Sequence, residues 1–173
     1  MTDANVAKAI NEQINAELFS AYLYLAMSAK ATAMGMPGVA NWLFIQYQEE
    51  TAHVQIFYKY LTRVGAPVVL KAIDQPPSEF GSALEIFEHV LSHEQKVTAL
   101  IHNLVALARK HNDFAAENML HWFVDEQVEE EENANDIIAQ LKLAGTGSGL
   151  FMIDRELAAR TFVPPSPLAA AAQ

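Results

Sequence analysis

The sequence sets charged side chains inside apolar helical stripes, and it does so twice with one spacing. Glu17 and Glu50 stand 33 residues apart, and 33 residues also separate Glu94 from Gln127. His53 follows Glu50 by three positions, as Glu130 follows Gln127. A shift of 77 residues therefore lays Glu17 on Glu94, Glu50 on Gln127, His53 on Glu130 and Glu49 on Glu126. A lone core glutamate or histidine is more often a satisfied buried polar group than a ligand. Glu17, Glu50, His53, Glu94, Gln127 and Glu130 in register need another explanation: two equivalent halves that meet around them.

Helical periodicity dominates and β signals are nearly absent. The first helix is expected from Asp3, an N-cap, to about Ala33, with Ile10, Ile14, Glu17, Ala21, Tyr24 and Ser28 on one stripe. Gly35-Met36-Pro37-Gly38 breaks it. The second carries Val39, Leu43, Gln46, Glu50, His53, Phe57 and Leu61 and ends at Gly65. Ser82-x-x-Glu85 forms a capping box for the third, and Asn112-Asp113 separates it from the fourth. Gly145-Thr146-Gly147-Ser148-Gly149 stops the fourth, and a short amphipathic segment follows at roughly 150–161.

The connection at 66–81, with Pro67, Pro76, Pro77 and Gly81, decides the topology. Helices of about 28 residues span roughly 42 Å, and an extended linker of this length reaches about 55 Å. It can run the whole bundle, so the second helix pair starts again from the far end. The expected fold is all-α: a four-helix bundle with one long crossover and a short fifth C-terminal helix.

The balance of 11 Lys and Arg against 21 Asp and Glu gives a net charge of −10. That opposes non-specific binding to nucleic acid or anionic membrane and suits a protein that attracts cations. Without cysteine there is no thiolate metal site and no disulfide. Neither a signal peptide nor an apolar run of transmembrane length is visible, so a cytoplasmic location is expected.

Four carboxylates converging in an apolar core without counter-charge would each cost several kcal/mol. Two divalent cations remove the problem, their positive charges balancing Glu17, Glu50, Glu94 and Glu130. Oxygen ligands with one imidazole favour iron or manganese, with zinc a competitor. Glu50, between the halves, is the best bridge. Glu49, Glu126 and Glu129 form a second acidic layer, read either as a third cation site or as a solvated face; the like-charge pair Glu126/Glu130 favours the cation. Tyr24 lies two turns from Glu17, within reach of a ligand or bound oxygen, or is a core tyrosine with a satisfied hydroxyl. His89 and His93 fall off the core stripe and read as surface residues. Trp122 reads as packing.

NEQINAE with Glu17, QEETAH with Glu49, Glu50 and His53, Glu94, and EQVEEEE with Glu126 to Glu130 resemble the bacterial non-haem ferritins. The resemblance covers about residues 3–162. It implies one ferritin-like diiron domain at 1–162; the Pro/Ala-rich tail at 163–173 extends past the family's usual fifth helix and, from its composition, is expected to be mobile. It implies one iron site from Glu17, Glu50 and His53, and a second from Glu50, Glu94 and Glu130 with Gln127 nearby. Glu49, Glu126, Glu129 and Glu130 would form the accessory third site. A 24-subunit cage is implied too, with the fifth helix lining the four-fold axes, and Glu117 marking a channel for iron. Bacterioferritins, by contrast, resemble a pattern with Glu-x-x-His in both halves and a haem-ligating Met after the first Glu. Here Gln127 and Glu130 stand in the second half and Thr51 follows Glu50, so no haem is expected and the two irons should be unequal.

The leading expectation is iron storage with ferroxidase activity: Fe(II) is oxidised to Fe(III) by O2 or H2O2 and stored as ferric oxyhydroxide. A non-storing diiron oxidase or peroxidase on the same bundle is the alternative, since fold alone does not decide function. A metal-free scaffold is disfavoured by the register of polar core residues.

Overall fold

A computed structural model describes residues 2–145 and 147–169, so Met1, Thr146 and the tail residues 170–173 lie outside the described residues. The elements are α1 (Ala4–Ala33), α2 (Pro37–Arg63), α3 (Ala83–Lys110), α4 (Phe114–Ala144), α5 (Ser148–Leu157) and α6 (Ser166–Ala169), with no strand among the described residues. The first four are the long helices of the bundle and α5 is the short fifth. It begins and ends earlier than the expected 150–161. No described helix is long and apolar enough to cross a membrane.

The caps follow from the chemistry of the chain. The Asp3 side chain accepts from Asn5 N at 2.8 Å and opens α1. Ser82 Oγ accepts from Glu85 N at 3.1 Å, and the Glu85 carboxylate accepts from Gly81 N at 2.6 Å, one residue earlier than in a standard capping box. Asn112 turns the chain with φ 54°, and Asp113 caps α4 through Ala116 N at 3.1 Å.

α2 has no side-chain cap of its own, and α5 supplies one. Asp154 Oδ1 accepts from Val39 N at 2.9 Å. In return, Asn41 Nδ2 donates to the carbonyls of Leu157, Ala158 and Arg160 at 3.3, 3.4 and 3.0 Å. This explains the early end of α5: its last carbonyls are taken by α2. The approach needs glycine at 38, because a Cβ there would lie 1.5 Å from Asp154 O. Beyond Arg160, Phe162 and, from the described part of the expected tail, Pro164 and Leu168 lie near Tyr47, Thr51 and Gln55 of α2.

The crossover runs beside α1. Asn11 pins its start, donating to Pro67 O at 3.0 Å and accepting from Val69 N at 2.7 Å. Glu12 pairs with Lys71. Lys30, near the other end of α1, meets Glu79 at 2.8 Å. The linker thus travels almost the full length of the helix, which lets α3 run antiparallel to α1.

Two apolar clusters fill the bundle. One gathers Leu23, Met27, Leu43, Phe87 and Ile137; the other gathers Ile10, Phe57, Leu61, Ile101 and Leu120. Each fully buried side chain of this size stabilises by about 1.5–3 kcal/mol. Between the clusters lies a layer of buried polar groups: Glu17, Gln46, Glu50, His53, Glu94, Gln127 and Glu130.

Candidate metal centre

Every long helix contributes to this layer. α1 brings Glu17 and Tyr24, α2 brings Glu50 and His53, α3 brings Glu94, and α4 brings Gln127 and Glu130. Helical spacing puts Glu50 and His53 on one face, and His53 Nδ1 lies 3.2 Å from Glu50 Oε2. Glu17, Glu50 and His53 each offer one ligand atom, and these atoms all lie within 4.8 Å of one another. Among the described residues, Glu17 Oε2 and His53 Nε2 are buried without a hydrogen-bond partner. Unpaired buried polar atoms are costly and uncommon, and a cation is the partner that suits a carboxylate and an imidazole together.

The second half is tied by hydrogen bonds. Glu94 accepts from the Tyr24 hydroxyl and from Gln127 Nε2 at 3.2 Å. Gln127 also donates to Thr98 Oγ1 at 3.3 Å, and Thr98 donates to Glu131 at 2.6 Å. Glu130 Oε2 accepts from Gln46 Nε2 at 2.8 Å. Neutral amides and a phenol thus satisfy Glu94 and Glu130, whereas the first half leaves the single atoms Glu17 Oε2 and His53 Nε2 without a partner. The two halves differ in preorganisation.

Electrostatics reflect the crowding. Burial raises the Glu17 carboxyl to about 8, with the Glu50 charge adding to the effect. Burial raises Glu94 to about 7 against the pull of Tyr24 and Gln127. Glu50 is also raised by burial, and Glu130 is raised well above the usual carboxylate range by burial and by Glu94. Burial alone would lower His53, but the carboxylates of Glu126 and Glu50 beside it carry it well above its ordinary value. Tyr24 is pushed up by burial and by Glu94. Without cations, the site holds its charge down by keeping protons.

The acidic residues outside this layer are placed differently from one another. Glu126 Oε1 stands 3.8 Å from His53 Nε2, an ionic neighbour rather than a hydrogen-bond partner. Glu129 is exposed. Glu49 Oε2 is taken by Arg160 Nη2 at 2.6 Å. Burial raises the Glu49 carboxyl, and Arg160 opposes that rise. With Glu49 held by Arg160, the three do not close into one ligand group in this conformation; among the described residues such closeness is found for Glu17, Glu50 and His53.

Two residues at the layer were not assigned to it from sequence. Gln13 donates to Glu17 Oε1 at 2.9 Å, and Gln46 serves Glu130. A signal for both was present: each stands four residues before its helix's carboxylate, Gln13 before Glu17 and Gln46 before Glu50. His93 is a correction. It does not stand free on the surface: its Nε2 is 2.8 Å from Ser20 Oγ, its ring packs on Phe19 and Tyr24, and burial lowers its pKa to about 4. α1 and α3 meet there, so the off-stripe position is still covered. Trp122 packs against the His53 ring at 5.5 Å between centroids.

A single-crossover four-helix bundle with carboxylates and an imidazole meeting at mid-height defines the ferritin-like class. The Ferritin-like domain model matches residues 7–144, and the chain belongs to the ferritin family. It is similar to the bacterial non-heme ferritin of Staphylococcus aureus strain USA300, with 40% identity over 94% of this chain and 98% of the relative. It is 41% identical to the bacterial non-heme ferritin of Bacteroides fragilis strain 638R, over 92% of this chain and 100% of the relative. Its fold is similar to that of an engineered closed form of Archaeoglobus fulgidus ferritin, with TM-score 0.93, 43% identity, and 94% and 100% of the two chains covered.

Proposed function

We propose that this chain stores iron and oxidises it on the way in. Ferrous iron is the substrate, Glu17, Glu50 and His53 bind the first ion, and Glu50, Glu94 and Glu130, with Gln127 nearby, bind the second. The observation that carries this reading is the convergence of Glu17, Glu50 and His53 with unpartnered buried ligand atoms, in a chain of the ferritin family.

Each ferrous ion gives up one electron. O2 is then reduced to the peroxide level, or H2O2 with two protons to two waters. Carboxylates suit the step because they favour the trivalent product and change binding mode easily. The protons that Glu17 and Glu94 hold in the empty site must leave as the ions bind. Tyr24, hydrogen-bonded to Glu94, sets that carboxylate for the second ion. Glu49, Glu126, Glu129 and Glu130 form an accessory third site on the path to the cavity. The product accumulates as ferric oxyhydroxide inside a 24-subunit cage whose four-fold axes α5 lines. Thr51 offers no thioether beside Glu50, which supports a haem-free protein.

The alternative is an oxidase or peroxidase that never mineralises. Ferrous iron added anaerobically to the purified metal-free protein, followed by O2, separates the two while particle mass is recorded. Storage predicts two or three ions taken up per chain, oxidation, and then hundreds of irons in a particle of about 24 chains. Oxidation in a small oligomer that holds no mineral supports the alternative. A protein that binds no iron overturns both.

A further inference from the structure

Glu49 already has a cation. Arg160 Nη2 donates to Glu49 Oε2 at 2.6 Å, and the pair is largely withdrawn from solvent, with side-chain exposures of 16% for Glu49 and 23% for Arg160. The guanidinium lies 4.6 Å from the centroid of the Trp42 ring, and its Nη1 donates to Trp42 O at 3.4 Å. Its backbone is fixed as well, since Asn41 Nδ2 donates to Arg160 O at 3.0 Å. Side chain and main chain are therefore both anchored to α2, on the helix that carries Glu49.

We propose that Arg160 is a latch on the accessory third site: its guanidinium and the third metal ion compete for Glu49, so the ion binds only when Arg160 lets go. The inference deepens the reading of Glu49, Glu126, Glu129 and Glu130 as that site, and rests on it. A guanidinium stays charged throughout the accessible pH range and cannot be titrated away from its partner. The oxygen it holds cannot be given to a metal at full strength, and the positive charge repels a second cation nearby. Glu126 is engaged only by His53 at 3.8 Å, and Glu129 is exposed. Glu49 is thus the member of the set held at hydrogen-bond distance by a guanidinium.

The consequence is a third site that is weak and reversible. An ion arriving there displaces Arg160 from Glu49, while Asn41 and Trp42 keep the arginine within reach. Arg160 then returns as the ion moves on. Such a latch favours passage over retention, which suits a transfer point better than a store. It also ties the site to the C-terminal segment, whose Phe162, Pro164 and Leu168 follow Arg160 along α2.

The test is anaerobic ferrous titration by calorimetry on the intact assembly, comparing wild type with Arg160→Gln, Arg160→Lys, Asn41→Ala and Glu49→Gln. The latch predicts that Arg160→Gln binds the third ion on the order of tenfold more tightly than wild type, with the first two ions unchanged. Arg160→Lys keeps the charge and should fall between them. Asn41→Ala loosens the anchor without touching the guanidinium and should move affinity the same way, which keeps the test decisive if Arg160→Gln assembles poorly. Adding Glu49→Gln to Arg160→Gln should remove the gain. If Arg160→Gln and Asn41→Ala leave third-ion affinity unchanged while Glu49→Gln weakens it, the site stands and the latch is overturned. If neither wild type nor any arginine variant binds a third ion, the accessory site itself is wrong and the latch goes with it.

Discussion

The side-chain amide of Gln46 on α2 donates to Oε2 of Glu130 on α4 at 2.8 Å, across the middle of the bundle. Gln13 does the same for Glu17, and Gln127 for Glu94. Three of the four buried carboxylates are thus held by neutral amides, and the fourth, Glu50, by His53. A donor without charge steadies a carboxylate without opposing a cation's charge, and at Glu17 it leaves Oε2 without a partner.

Gln46→Leu should therefore separate the two states. The metal-free protein loses a buried hydrogen bond, expected to cost about 1–3 kcal/mol. The metal-loaded protein should lose less, because an ion can take over at Glu130. Thermal melting with and without a divalent ion checks this, and equal losses in both states would count against Glu130 as a ligand.

The pH dependence of the metal-free protein follows from the raised carboxyls. Glu17 titrates at about 8 and Glu94 at about 7, against an ordinary value of 4.5. The folded chain holds these protons more tightly than the unfolded one. Their stabilising contribution is complete below 4.5 and is lost as pH rises through 7 and 8. His53, raised above 6.5, acts in the same direction. The melting midpoint should fall between pH 5 and 8.5, and a midpoint that rises over that range would contradict the assignment. Bound divalent ions, which need deprotonated ligands, should flatten or reverse the slope.

Gly38→Ala should free α5 from α2. Its Cβ would lie 1.5 Å from the Asp154 carbonyl, so backbone must move. Asp154→Ala removes only the cap on Val39 N and should cost about 1 kcal/mol. Hydrogen exchange across 148–157 distinguishes them. Full loss of protection is expected for the glycine variant and partial loss for the aspartate variant.

Tyr24→Phe removes the hydroxyl bonded to Glu94 and leaves the ring in place. A partner that orients a ligand typically changes metal affinity by about tenfold or more. The second ferrous ion should bind more weakly and oxidation should slow, with the first ion unaffected. Unchanged kinetics would reduce Tyr24 to packing.

The bundle was legible because caps, breaks and stripes all act locally: Asp3, Ser82, Asp113, Gly35 and Gly65 mark helix ends whatever packs on them. The polar layer was legible through its repeat, since burying carboxylates at matched heights leaves a spacing in the chain. Arg160 left no such trace. It meets Glu49 only because Asp154 and Asn41 dock α5 onto α2, a relationship between residues more than 100 positions apart. His93 was missed for a related reason. Its helical phase points off the α3 stripe, but Ser20 and Phe19 of α1 close over it. Periodicity reports one helix's own core face and is silent about a neighbour's flank.

If Glu50 joins two ions that are oxidised together, removing its carboxylate must abolish their joint oxidation. The direct measurement is rapid mixing of O2 with protein carrying two ferrous ions per chain, following the diferric absorbance in wild type and Glu50→Ala. Fast formation in wild type, and loss of the fast phase in the variant with its fold and assembly intact, is the predicted result. Equal rates in the two proteins would contradict it.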